Sequence, residues 1–356
     1  MAAEPCNVGD YERIARERLP EGAYGYFAGG ADDECALADN VEGWRRWALR
    51  PRVLVDVSET SAATAVLGTA VSMPVLVAPV AIQRMAHDDG EAGMARAAAA
   101  AGTIMVVSSL ATTSLADIAA AAPDSPRWFQ VYRFRDAGVT QALIDQATDA
   151  GYGALVLTVD APRLGRRERD LRTGFAVPAE VTVPSFAAAA GGGSGGTPAD
   201  LFALMDASVT WRDLEELASS TDLPVLVKGV MTAEDAHLAC EHGAAGVVVS
   251  NHGGRQLDCA GATVDALPEV AEAVEGRAEV LVDGGIRRGA DAVRALALGA
   301  RAVLAGRAPL WGLAARGEEG AREVLEMLRD EVELALALTG CARPEAVTRA
   351  HVKRRP

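Results

Sequence analysis

The chain has 356 residues, half of them hydrophobic, and a formal net charge of −15. Such an acidic surface argues against nucleic acid or anionic membrane as partner, and a small anionic ligand would need its own group of arginines. Five scattered cysteines, Cys6, Cys35, Cys240, Cys259 and Cys341, fit free thiols better than a disulfide framework. Residues 1–11 show no basic-then-apolar leader, no apolar run is long enough to span a bilayer, and residues 351–356 match no Ser-Lys-Leu address. The expectation is a cytoplasmic protein. Its length admits two average domains or one α/β barrel of about 250 residues with additions.

Residues 11–19 predict a helix, broken by Pro20-Glu21-Gly22. The aromatic and glycine-rich stretch 24–32 fits packing on a barrel rim or closure over a ligand, and 34–47 predict another helix. From Met73 onward, apolar runs alternate with alanine-rich helical stretches: 75–81, 104–109, 128–132, 154–160, 224–230, 246–252, 279–285 and 302–307. Continuous hydrophobicity marks strands buried on both faces, hence a parallel sheet. Eight βα units predict a TIM (β/α)8 barrel, with a doubly wound sheet as the alternative. We expect a single domain over 1–356: an N-terminal helical segment, 1–72, and a barrel, 73–340, with a long flexible loop, 161–223, after the fourth strand. That loop contains the glycine-serine tract 191–196 and begins with the basic run Arg163-Leu164-Gly165-Arg166-Arg167. The run reads either as a solvated charge cluster or as an anion-binding approach to the barrel mouth.

A TIM barrel builds its active site at the carboxyl ends of its strands. Those positions hold Ala78-Pro79-Val80-Ala81, Ser108, Gln130 and Tyr132, then Thr158, Asp160 and Lys228, then Ser250 and His252. The last two strands end in Asp283-Gly284-Gly285-Ile286-Arg287 and Gly306-Arg307, glycine-plus-arginine turns that suit one phosphate. The sixth strand runs into S-N-H-G-G-R-Q-L-D at 250–258, which sets a proton-shuttling imidazole three residues from a carboxylate-binding guanidinium, Arg255. A lone His-x-x-Arg is as well explained by a surface turn. Lys228 either faces the barrel mouth, stabilising negative charge, or snorkels out. Asp160 either orients His252 or caps a helix. His237, Cys240 and His242 fall on a predicted helix without sharing a face, which speaks against a metal site.

With these motifs in view, and with A-P-R-L-G-R-R-E at 161–168, L-V-K-G-V at 226–230 and D-G-G-I-R-R-G at 283–289, the chain resembles the FMN-dependent α-hydroxy-acid oxidase and dehydrogenase family, in particular the glycolate oxidases. The resemblance implies FMN across the barrel mouth. Its ring would lie against Ala78, Pro79 and Val80, with Ser108, Gln130, Thr158, Lys228 and Ser250 around it. Its phosphate would meet Asp283, Gly284, Gly285, Arg287, Gly306 and Arg307. Tyr26, Arg167 and Arg255 would hold a substrate carboxylate, Tyr132 its hydroxyl, and His252 would take the proton with Asp160 behind it. Molecular oxygen would reoxidise the flavin and yield hydrogen peroxide; dehydrogenase and monooxygenase relatives are the alternative. The family also suggests a homo-oligomer, a tetramer or octamer.

Ala81 matches the alanine of the oxidases, where some relatives carry glycine. Leu110 stands where glycolate oxidases have tryptophan, which implies a wider pocket and a larger hydroxy acid. The competing readings are an FMN barrel of another class, which would need a catalytic cysteine or a diphosphate site, and a non-redox phosphate-binding barrel.

Overall fold

All eight apolar runs become staves of one closed parallel barrel in the computed structural model, which describes residues 4–178, 180–191 and 202–355. Three short strands precede the barrel, β1 (Trp47–Leu49), β2 (Thr64–Val66) and β3 (Thr69–Val71). The staves are β4 (Val75–Val77), β5 (Met105–Val107), β6 (Arg127–Val131), β7 (Leu155–Thr158), β8 (Val225–Val230), β9 (Gly246–Val249), β10 (Glu279–Val282) and β11 (Ala302–Ala305). They pair in sequence order, and β11 closes on β4. Most runs extend two to four residues beyond the observed ladders. Past the last paired residue the backbone turns away, and the polar groups of the site sit on these turns or on the last paired residues before them.

Two apolar layers follow from strand alternation. Leu76, Ile104, Trp128, Val156, Leu226 and Val248 fill the barrel interior, while their strand neighbours pack outward against the helices. Val66 and Val71 of the β2–β3 hairpin join the interior cluster and plug the barrel floor. The hairpin turns at Leu67-Gly68, both at positive φ, as a two-residue turn between twisted strands requires.

The N-terminal segment is more mixed than the expected helical extension. It holds α1 (Val8–Arg18), α2 (Glu21–Ala28) and α3 (Cys35–Arg45), and then the hairpin. The aromatic stretch 24–32 lies largely within α2 rather than in a rim loop. Pro20 breaks α1 but stands at the cap of α2, where a missing N–H costs nothing. A last strand, β12 (Val352–Arg354), pairs antiparallel with β1 and ties the C-terminal end to the N-terminal segment.

The described part of the expected loop 161–223 is not all loop. It forms helices at Glu168–Thr173, Pro184–Ala189 and Trp211–Ser219. Most of the glycine-serine tract lies outside the described residues. His237 and His242 face separate carboxylates, Glu241 at 3.0 Å and Glu215 at 3.2 Å, so they converge on no common point.

Candidate active site

The carboxyl ends of the strands surround one cleft of about 960 Å³, counting space open to solvent. One wall is the turn Ala78-Pro79-Val80-Ala81 after β4. The next carries Ser108, Gln130, Tyr132 and Thr158 from β5 to β7, and beyond them stand Lys228 and His252. Asp283, Gly284, Gly285 and Arg287, then Gly306 and Arg307, complete the circle, with Tyr26, Arg167 and Arg255 closing over it.

The proton-handling pair is built from two strand ends. His252 Nδ1 lies 2.8 Å from Asp160 Oδ1. Burial lowers the pKa of His252, outweighing the raising effect of Asp160. Burial alone would raise Asp160, but the His252 and Lys228 charges and the His252 hydrogen bond hold it below the usual carboxylate range. At neutral pH the stable state is therefore a neutral imidazole beside a carboxylate. Nδ1–H then donates to Asp160, which leaves Nε2 as a free acceptor. His252 sits in the left-handed region at φ 59°, followed by Gly253 and Gly254 at 65° and 75°. Asp160 owes its place to Gly229, at φ 114° on the irregular register of β8; a Cβ there would come within 2.6 Å of Asp160 Cβ. Gln256 Nε2 donates to the Asp160 and Arg163 carbonyls at 3.0 and 2.8 Å, tying the two loops together.

Lys228 is buried and points into the cleft rather than outward. Its ammonium pairs with Asp283 at 3.0 Å and donates to Ser250 Oγ at 2.8 Å. Burial would lower its pKa, but Asp283 and Asp160 outweigh that and hold it above the ordinary value. Tyr132 is pushed well above its ordinary pKa, first by burial and then by Asp160, so its phenol keeps its proton.

Four arginines make one continuous positive wall inside this acidic protein. Arg255 Nη1 donates to the carbonyls of Tyr26 at 2.5 Å and Gly29 at 2.9 Å, and the guanidinium lies 4.9 Å from the Tyr26 ring centre. Arg167, likewise buried, sits 5.9 Å from both the Tyr26 and Phe202 rings. Arg307 donates to Phe27, Gly253 and Gly29, so the Gly29 carbonyl joins it to Arg255. Arg307 opens a helix that runs to a break at Arg316 and Gly317, and its N-terminus adds its own positive end. Burial and then Arg167 push Arg255 down, to about 10. Burial with repulsion from Arg255 and Arg287 carries Arg307 well below its ordinary value, and burial lowers Arg287 also. Desolvated cations that repel one another favour an anion among them.

Three expected site residues sit behind the wall. Asp160 reaches the cleft only through His252. Ser250 is fully buried, its Oγ accepting from Lys228 and from the His252 N–H at 3.1 Å. Leu110 is 0 % exposed and absent from the cleft lining, so it packs the layer beneath. The ring that does face the site there is Phe202, 5.8 Å from the Tyr132 ring. Phe202 lies in the long insertion, where no strand-end rule points to it. Of the basic run, only Arg167 turns inward; Arg163 and Arg166 are exposed.

A positive wall facing a histidine at a TIM-barrel mouth defines a barrel with a cleft suited to anionic ligands. A family model described as FMN-dependent dehydrogenase matches residues 15–354. The chain belongs to that family. It is 49 % identical to glycolate oxidase 3 of Arabidopsis thaliana, over 98 % of this chain and 96 % of that one. It is 47 % identical to glycolate oxidase of Spinacia oleracea over the same shares. Among solved structures, a variant of mandelate oxidase with (S)-mandelic acid superposes with a TM-score of 0.91 at 41 % identity, over 99 % of each chain. Mandelate oxidase with benzoyl-formic acid gives 0.90, with the same identity and coverage.

The residues present fit FMN. Gln130 Nε2 and Thr158 Oγ1 are buried on the cleft wall without a partner among the described residues, so they are placed to hydrogen-bond a polar ring edge. Lys228 adds a fixed cation beside them. At the other end the helix start at Gly306, with Arg287 and Arg307, presents donors suited to a phosphate.

Proposed function

We propose that this protein catalyses the FMN-dependent oxidation of an (S)-2-hydroxy acid to the 2-keto acid, with oxygen reduced to hydrogen peroxide, and that it prefers medium-chain or aromatic acids over glycolate. The observation that carries this reading is the His252–Asp160 pair, whose free Nε2 shares one cleft with the Arg167–Arg255 clamp and Lys228. Bound FMN would supply the two-electron acceptor and pass the electrons to oxygen. Gln130, Thr158 and Lys228 would hold its ring, and Arg287, Gly306 and Arg307 its phosphate. Arg255 and Arg167, with Tyr26, bind the substrate carboxylate, and Tyr132 orients the hydroxyl. His252 Nε2 takes the proton released as hydroxy acid becomes keto acid, and Asp160 stabilises the imidazolium. Lys228 balances negative charge building up beside it.

The preference for larger acids is supported by the makeup of the wall. With leucine at 110 no indole reaches the cleft, and the substrate side chain would meet Tyr132 and Phe202, two rings that suit an apolar or aromatic group. Ala81, on the cleft wall, is the oxidase-like residue that supports oxygen as acceptor. The test is to mix the yellow protein anaerobically with glycolate, 2-hydroxyoctanoate and both mandelate enantiomers, and to follow bleaching of the flavin. Admitting air then reports peroxide by a coupled peroxidase. We expect kcat/KM to be highest for an (S)-acid larger than glycolate. Glycolate outrunning every larger acid would overturn the preference, and the absence of bleaching with any acid would overturn the reaction.

A further inference from the structure

Outside the active-site cleft, the structure brings together two thiols that are 224 positions apart in sequence. Cys35 begins α3, and Cys259 follows the S-N-H-G-G-R-Q-L-D segment directly. Both are exposed, and their sulfurs, with a carboxylate oxygen of the half-buried Asp258, lie within 4.8 Å of one another. Their approach is built in. Asp258 caps α3 from across the fold, accepting from the Cys35 N–H at 3.2 Å and the Ala36 N–H at 2.7 Å. The Ala31 N–H donates to the Gly254 carbonyl at 2.8 Å, holding the same two segments together one turn earlier.

We propose that Cys35 and Cys259 form a redox-modification site, a dithiol that a peroxide converts into a disulfide between α3 and the loop carrying His252 and Arg255. The proximity of the two exposed sulfurs sets the chemistry. One of the two thiols gives up its proton, and its sulfur bonds to one peroxide oxygen; the O–O bond breaks, and the departing hydroxide takes up that proton and leaves as water, giving a sulfenic acid. The partner sulfur then attacks the oxidised one; the S–S bond forms, the S–O bond breaks, and the second water carries away the partner's proton. Two thiols are oxidised by two electrons and one peroxide becomes two waters. The supply of peroxide by the protein's own turnover rests on the oxidase reading above; the chemistry of the pair does not.

The experiment treats the FMN-loaded protein, without substrate, with added hydrogen peroxide, blocks remaining thiols and maps the peptides by mass spectrometry. Of the five cysteines, we expect Cys35 and Cys259 to be lost together in one cross-linked peptide, reversible by dithiothreitol, while exposed Cys6 stays free as an internal control. In Cys35→Ser and in Cys259→Ser, the remaining thiol of the pair should accumulate a sulfenic acid that a dimedone probe captures. Because both side chains are exposed, neither serine variant should lose flavin or its far-UV spectrum. Independent over-oxidation of Cys35 and Cys259 without a cross-link, or oxidation of Cys6 at the same rate, overturns the proposal. So does a pair that binds added zinc but stays reduced under peroxide. Because no substrate is present, failure of this test leaves the oxidase reading untouched, and failure to bleach with hydroxy acids leaves this test intact.

Discussion

Asp160→Asn isolates what the carboxylate behind His252 contributes. The substitution keeps size and hydrogen-bonding capacity but removes one charge 2.8 Å from the imidazole. When His252 takes the proton, the new cation faces Asp160 across a buried contact. Two unit charges about 4 Å apart at an effective dielectric near 20 interact by about 4 kcal/mol. At ~1.4 kcal/mol per tenfold in rate, loss of that interaction slows proton transfer by roughly 10³. A second effect acts in the same direction. If the new amide turns its NH2 toward Nδ1, the ring must carry its proton on Nε2, the atom that has to accept. The assay is anaerobic rapid mixing at saturating substrate, with bound FMN quantified by absorbance. We expect intact flavin binding and a rate of bleaching lower by about two to four powers of ten. A variant that keeps its flavin and reacts within about tenfold of the parent would refute the argument that Asp160 stabilises the imidazolium.

Arg255→Met should raise KM and slow bleaching, since losing a buried partner of a carboxylate costs about 2–5 kcal/mol; equal turnover of a neutral ester by the parent protein would contradict the clamp. The pH profile should show an acid limb below 6.5, because burial lowers the His252 pKa from that value. The sign follows from the role: the neutral ring accepts, so the rate is full above the folded pKa and falls as pH drops through it; a limb at or above pH 6.5 would be inconsistent. Gly229→Ala should displace Asp160, whose Cβ lies 2.6 Å from the position of the new methyl, lowering the reaction rate and costing about 1–3 kcal/mol of stability at a φ of 114°. Unchanged melting and unchanged rate together would dismiss that steric argument. Phe202→Ala should erode selectivity for aromatic acids by about tenfold or more, since a buried aromatic contact contributes about 1.5–3 kcal/mol, and leave the rate with small acids nearly unchanged; the check is the ratio of kcat/KM for mandelate and glycolate.

The barrel was legible because each stave is a mostly apolar run followed by a helical stretch, and the strand-end rule then picked out most of the cleft. Leu110 shows where that reading fails. An aligned position names a neighbour in sequence, but whether its side chain reaches the cavity depends on its size, and leucine stops in the layer beneath. Phe202 was invisible for the opposite reason. It reaches the cleft from an insertion, by tertiary packing against Tyr132 and Arg167. Within L-V-K-G-V, Gly229 is one motif letter among five, and its purpose appears only in the fold, where Asp160 presses against it. Ser250 is marked as a candidate ligand contact by its place at a strand end; the fold shows in addition that it is the acceptor that aims Lys228 and caps the His252 turn.

The glycines of the two turns also acquire a second meaning from α3, an element that seemed peripheral in the sequence. A Cβ on Gly285 would lie 2.0 Å from the Asn40 carbonyl oxygen, and one on Gly254 would lie 2.5 Å from the Leu37 nitrogen. These glycines are small because a helix backbone presses on them, whatever a phosphate requires on the other side. The Trp44 indole N–H donates to the Gly284 carbonyl at 2.9 Å, and Asn40 and Asn251 exchange amide hydrogen bonds at 2.8 and 3.0 Å. Asn251 immediately precedes His252, so this buried amide pair fixes the backbone that enters the left-handed turn. A non-glycine residue held there costs of the order of 1–3 kcal/mol, and it persists only where its surroundings over-determine it. The N-terminal segment is thus part of the catalytic apparatus in a physical sense: α3 holds the His252 turn and the Gly284–Gly285 turn from behind, and the barrel strands alone would leave both without their buttress.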